Sequence, residues 1–123
     1  MQTPDGFYVE KGKAYTQKLT WLNETGKDML EGAFGTNVSA VFDGSSWNVT
    51  FTSGEMGSFV EWVKVGDNQQ SGVAADGGKT YTFSTSKLSD MTEVTMLVNM
   101  GPMQREVSSG ITISTDGLST TDP

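Results

Sequence analysis

A chain of 123 residues with 35% apolar side chains is long enough for one domain, and burying roughly two-thirds of its unfolded surface gives it a core without metal or disulfide staples. Fifteen acidic against eight basic side chains leave a net charge of −7, and the cations are scattered singly, which excludes a nucleic-acid footprint and disfavours anionic membranes. With no Cys and no His, disulfides, thiolate metal sites, cysteine nucleophiles and Ser–His–Asp catalysis are excluded as well.

In chain order, short alternating segments recur, and helix formers never gather into a long 3.6-residue period. Ala14–Leu22 alternates, with Tyr15, Gln17, Leu19 and Trp21 on one face. Lys27–Phe34 reads as a short turn of helix. Val38–Phe42 is followed by Asp43-Gly44, a strong hairpin signal, and then by Trp47–Thr52, where Trp47, Val49 and Phe51 share a face. Ser58–Val65 comes next, with Phe59 and Trp62 on opposite faces. Asp76-Gly77-Gly78 turns the chain into Lys79–Thr85, where Tyr81 and Phe83 alternate with threonines, and Ser86–Met91 reads as a turn capped by Ser86 or Ser89. Val94, Met96 and Val98 mark another strand, and Val107–Ser114 closes the series with Ile111 and Ile113 in phase. About seven short strands separated by turn residues are the signature of an all-β sandwich or barrel. The whole chain, 1–123, is expected to be one domain with a core over about 7–115 and a flexible polar tail at 116–123.

No run of apolar residues approaches membrane-spanning length, so no membrane insertion is expected of this domain. No secretory h-region opens the chain, and Met1-Gln-Thr-Pro reads as the edge of a piece cut from a larger protein. No G-x-x-x-x-G-K-[ST] phosphate loop occurs. Asp and Glu sit singly or in turns, the pattern of solvated charge rather than of paired catalytic carboxylates, so an enzyme is not expected. The turns at Gly66-Asp67-Asn68 and Asp76-Gly77-Gly78 carry Ca²⁺-type donors at a lower density than an EF-hand loop. Asn-x-Ser/Thr triplets at Asn23, Asn37 and Asn48 are expected by chance in a chain this rich in Ser and Thr. They matter only if the source glycosylates secreted proteins.

The unusual feature is methionine, with seven in a β-rich chain. Met29 falls in the short helical segment, while Met96, Met100 and Met103 cluster at the end of one strand and in its turn, Asn99-Met100-Gly101-Pro102-Met103. The ordinary role for such side chains is adaptable packing under a loop. A Met in a Gly-Pro turn fits that role poorly, because turns lie at the surface. The other role is that of a soft thioether ligand for haem iron or Cu(I).

From about Ala14 to Ser114 the chain resembles the near-iron-transporter (NEAT) domains of bacterial surface haem uptake. Four stretches carry the resemblance: Thr25-Gly-Lys-Asp-Met-Leu-Glu-Gly-Ala-Phe34, Ser58-Phe-Val-Glu-Trp62, Lys87-Leu-Ser-Asp-Met91, and the pair Val94-Thr-Met-Leu-Val98 with Val107–Ile113. It implies an immunoglobulin-like antiparallel β-sandwich of about seven to eight strands, with a short helix over the distal face of haem b. In that family a Tyr-x-x-x-Tyr motif opens the last strand and its first Tyr binds iron. Here those two positions fall on Met103 and Val107, so the motif is absent and the usual phenolate ligand with it. The resemblance to a bis-methionine subtype implies Met29 as distal ligand and Met103 as proximal ligand, with Met100 the other proximal candidate. It also implies an apolar wall of Val94, Met96 and Val98, with Leu30, Phe59 or Val60 closing the other side, and Lys27 or Arg105 near the propionates.

Three functions compete on this reading. The first is a haem-binding, haem-relaying domain of a Gram-positive surface protein, extracellular or wall-attached, exchanging haem with haemoglobin or another relay protein. The second is a NEAT-like adhesion module that recognises a host protein or a glycan without haem. The third is a structural spacer. If Met29 and Met103 face one apolar slot, the first is favoured; exposed aromatics in a shallow groove favour a glycan. The oligomeric state has no signature in the sequence.

Overall fold

The computed structural model describes every residue, Met1–Pro123. Nine strands and one helix follow in the order β1 Ala14–Trp21, α1 Glu24–Phe34, β2 Asn37–Phe42, β3 Trp47–Ser53, β4 Val60–Val65, β5 Asn68–Ser71, β6 Val73–Ala75, β7 Gly78–Thr85, β8 Glu93–Met100 and β9 Met103–Ile113. Short 3₁₀ turns at Glu55–Phe59 and Leu88–Asp90 precede β4 and β8. All pairings are antiparallel, in the order β5-β4-β8-β9-β1-β2-β3-β7-β6.

β1 makes the sandwich. Its first half, Ala14–Lys18, pairs with β2, and its last three residues, Leu19–Trp21, leave that sheet to pair with Ile111–Ile113 of β9. One strand thus belongs to both layers and folds a single nine-stranded ladder into two packed faces. The expected alternation holds where it matters most: Gln17, Leu19 and Trp21 of β1 and Trp47, Val49 and Phe51 of β3 all point inward and are buried. Between the layers Phe34 sits edge-on to both Phe51 and Tyr81, at centroid distances of 6.0 and 5.7 Å. The buried Tyr81 hydroxyl donates to the Val60 carbonyl at 2.8 Å, tying β7 to β4 and so one layer to the other.

Several expectations are corrected. There are nine strands rather than seven or eight, because β5 and β6 form on either side of Gly72 although neither shows an apolar alternation. Their partners are set by two-residue turns, Gly66-Asp67 between β4 and β5 and Asp76-Gly77 between β6 and β7, both with glycine at positive φ. These are hairpin turns, and no group of three or more acidic side chains converges on them. The helix begins at Glu24, three residues before the expected Lys27. Lys87, not a serine, occupies the N-cap of the second 3₁₀ turn, with no side-chain cap. Phe59 ends a 3₁₀ turn instead of lying in a strand, and a bulge between Val60 and Trp62 puts Val60 and Val63 on the inner face. The expected free tail is also pinned in part: the Tyr8 amide donates to Ser119, and Gln17 Nε2 donates to the carbonyls of Ser114 and Asp116. No helix is long and apolar enough to cross a membrane.

Candidate functional site

α1 is held on β9 from its first residue. Asn23 stands at its N-cap position but does not cap it; its Oδ1 accepts the Gly110 amide of β9 at 2.9 Å. The buried Ser109 hydroxyl accepts the amides of Leu22 and Asn23 at 3.2 and 3.0 Å. One turn on, Gly26 lies so close to β9 that a Cβ there would collide with the Ser108 carbonyl and crowd the Val107 side chain. Glycine is what lets the helix backbone approach the strand. Gly26, Leu30, Ala33 and Phe34 form the buried stripe, at the spacing of one helix face. At the far end Trp21 stacks on Phe34, and its indole N–H donates to the Gly35 carbonyl at 2.8 Å. Met29 sits at the margin of this stripe, half-buried against the core and facing its rim.

The other wall is the β8–β9 hairpin. Its two-residue turn is Gly101-Pro102, with Gly101 at φ +79° and Met100 paired directly with Met103. Glycine at the first central position, followed by a residue with negative φ, matches the twist of the flanking strands. Directly paired residues project to the same face. The register therefore puts Met96, Val98 and Met100 on the same side as Val107, Arg105 and Met103. Depth along that face grades steadily. Met96 and Val107 are buried, Val98 is buried at the edge, Arg105 is exposed, and Met100 and Met103 are 55% and 72% exposed at the tip.

Met29, Val98, Met100, Met103 and Arg105 together line one cavity of about 230 Å³. Three thioethers, one valine and the chain's only guanidinium thus meet in a single notch between α1 and the hairpin tip. Arg105 forms no salt bridge; the molecule's one ion pair is Lys13–Glu10, far along the sequence.

Of the ten residues expected at the pocket, Met29, Val98, Met100 and Met103 come together. Val94, Met96, Leu30, Val60 and Val107 do not: each is buried in the continuous core and lies behind the notch rather than in its wall. Phe59 is 38% exposed and does not line the notch. The reason is geometrical. Alternation identifies the face of a strand, whereas distance from the turn decides whether that face lies under the opposite layer or beyond it. Lys27 belongs to a separate concavity with Lys18, Glu31 and Thr36, leaving Arg105 as the cation of the notch.

No tyrosine reaches the notch. Tyr81 is buried between the layers, while Tyr8 and Tyr15 line a different concavity with Met1, Val9 and Lys13. That second concavity offers no flat stacking platform. Tyr15 meets Trp47 edge-on at 6.5 Å, Lys13 lies over its ring, and its hydroxyl accepts the Glu10 amide. Trp62 is likewise overlain by the Lys64 ammonium.

Fold and site together define a class: an antiparallel sandwich with a thioether-lined notch beneath a helix. No protein-family model matches the chain, and no curated protein matches it. Among solved structures, a mutant of IsdX2-NEAT5 in complex with haem superposes with a TM-score of 0.65, over 87% of this chain and 98% of that one, at 8% sequence identity. The fold of this chain is that of a NEAT domain.

Proposed function

We propose that the domain binds haem between α1 and the β8–β9 hairpin, with Met29 on the distal side and a hairpin thioether on the proximal side. One observation carries this reading: Met29 and Met103, on elements far apart in sequence, line the same apolar notch. The donor chemistry fits. Thioethers are soft, neutral ligands suited to haem iron, and axial methionine raises the reduction potential and favours the ferrous state. Neutral donors need not lose a proton to bind, so affinity is expected to vary less with pH than with a phenolate.

The notch is smaller than the roughly 300–1,000 Å³ of a typical ligand pocket, so much of a bound macrocycle would lie outside it, against the exposed tip. Arg105, free of any carboxylate, is positioned to meet a propionate. Most of the affinity would come from removing the flat apolar ring from water. The structure that resembles this fold was solved with haem, and the same ligand is proposed here. A domain holding haem with two axial side chains has no open iron position and suits capture and relay, as part of a cell-surface or extracellular iron-acquisition protein. Haemoglobin or another relay protein would be its donor or acceptor. The glycan form of the adhesion reading is less favoured because the half-exposed Tyr15 and Trp62 rings are each overlain by a lysine ammonium.

The test is a haemin titration followed by visible absorption before and after dithionite, on the wild-type domain and Met29→Ala. Sharp low-spin bands retained on reduction, and lost in Met29→Ala, are expected. Wild-type spectra identical to those of free haemin would sink the haem reading and leave a protein- or glycan-binding module.

A further inference from the structure

Two axial positions need two ligands, and the notch holds three thioethers. Only Met29 comes from the helix; Met100 and Met103 both come from the hairpin. They are a directly paired couple on one face, with Cβ atoms about 5 Å apart as in any such pair. Each thioether hangs on three rotatable bonds, so both sulfurs sweep over the same region. Neither is used for packing, since they are 55% and 72% exposed while Met91 and Met96 fill the core. The Gly101-Pro102 turn fixes the spacing of the couple, so exchanging one sulfur for the other requires side-chain rotation and no movement of the strands.

We infer that Met100 and Met103 form an interchangeable proximal pair, either thioether serving as the iron ligand. This rests on the haem reading above and extends it. The exchange is balanced: one iron–sulfur bond breaks and an equivalent one forms, with no proton or electron transferred. Because Met103 opens β9 and Met100 ends β8, the two sulfurs approach from opposite strands of the tip. A ligand leaving by the tip is therefore handed between neighbouring donors of the same kind.

The experiment compares Met100→Ala, Met103→Ala, the double variant and Met29→Ala by haemin titration and reduced-state absorption. Each hairpin single variant is expected to keep the low-spin spectrum with affinity within about threefold of wild type. The double variant is expected to lose the low-spin bands and bind at least on the order of tenfold more weakly, a non-additive result that identifies substitutable partners. If Met103→Ala alone, or Met100→Ala alone, already reproduces the double variant, interchange is wrong although haem binding stands. If the double variant keeps the low-spin spectrum while Met29→Ala loses it, the hairpin supplies no thioether ligand and the inference falls. Failure of the wild-type domain to bind haemin overturns both readings together. Urea unfolding of each variant separates these outcomes from misfolding.

Discussion

Two glycines of α1 provide a controlled test of how the site is assembled. Gly26 and Gly32 share one helix and neither has positive φ, but a Cβ at Gly26 would strike the Ser108 carbonyl whereas one at Gly32 would meet open space. Replacing glycine by alanine within a helix gains about 0.8–1 kcal/mol of intrinsic propensity. At Gly32 nothing opposes this gain, so Gly32→Ala should stabilise the domain by about 0.5–1 kcal/mol. At Gly26 the same gain is set against overpacking of about 1–3 kcal/mol, because the obstacle is a backbone carbonyl and not the end of a flexible side chain. Gly26→Ala should then be neutral to about 2 kcal/mol destabilising. Propensity cancels between the variants, so their difference, about 1–3 kcal/mol, reports the collision alone. Urea unfolding followed by tryptophan fluorescence measures it, with equal m-values confirming that the midpoints are comparable. Equal stabilisation by both substitutions would mean that α1 does not rest on β9 at Gly26, and the placement of Met29 opposite the hairpin would lose its foundation. A haemin titration of Gly26→Ala should also show weakened binding, since moving α1 outward carries Met29 with it.

Other perturbations probe the supports and the electrostatics. Burial alone would raise the Asp5 carboxyl, but hydrogen bonds from Thr3, the Trp47 indole and the Leu88 amide together outweigh it and hold the group below its usual 3.8. A depressed folded-state pKa contributes stability that is present above about pH 4 and lost as pH falls through the folded value. Asp5→Asn should therefore cost about 1 kcal/mol at pH 7 and flatten the acid limb of the stability curve; an unchanged acid limb would refute the assignment. Burial pushes the Tyr81 phenol above 10, so its contribution is complete below that pH and lost as pH rises beyond it. Tyr81→Phe should lose about 1 kcal/mol at pH 7 by removing one of two donors to the Val60 carbonyl, the Lys79 ammonium being the other, and should show less alkaline destabilisation than wild type in parallel urea titrations. Arg105→Ala should weaken haemin binding by no more than about fivefold, the scale of an exposed ion pair. Against a net charge of −7, added salt should then speed association of the variant more than that of the wild type, because only repulsion of the propionates remains to be screened. A loss far beyond tenfold in stopped-flow or equilibrium titration would mean that Arg105 does more than pair at the surface.

Much of the fold could be read in the sequence because its strands are half-buried. β1 and β3 alternate cleanly, and Asp43-Gly44 marks the hairpin between β2 and β3, where the Asp43 carboxylate accepts the Ser45 and Ser46 amides. β5 and β6 escaped because Asn-Gln-Gln-Ser and Val-Ala-Ala bury little; those strands are edges, held by their turns and by β4 and β7. The three methionines of the notch stood out by residue type and by their place beside a Gly-Pro turn. The residues expected as the wall, Val94, Met96, Leu30, Val60 and Val107, lie in the core, because periodicity does not measure depth. The starting point of α1 was missed for a related reason: Asn23 satisfies β9 rather than its own helix, so the usual capping signal points across the sandwich.

Five of the seven methionines fall into two groups with different physical demands. Met91 and Met96 are buried and complete a core otherwise made of branched and aromatic side chains, where an unbranched thioether fills irregular space. Met100 and Met103 bury little, and any residue compatible with a strand end would serve folding equally well there. Two exposed apolar side chains beside a tight turn add surface that favours association with something outside the chain. Met29 joins them across the notch while contributing only partly to the helix's buried stripe. Stability therefore accounts for the inner pair. The outer three line one cavity and are not accounted for by core packing alone, which is consistent with the thioether ligation proposed above. On that proposal a metalloporphyrin with anionic side groups would find soft donors and a cation in one cavity, whereas a bare soft cation such as Cu(I) is disfavoured by Arg105 there.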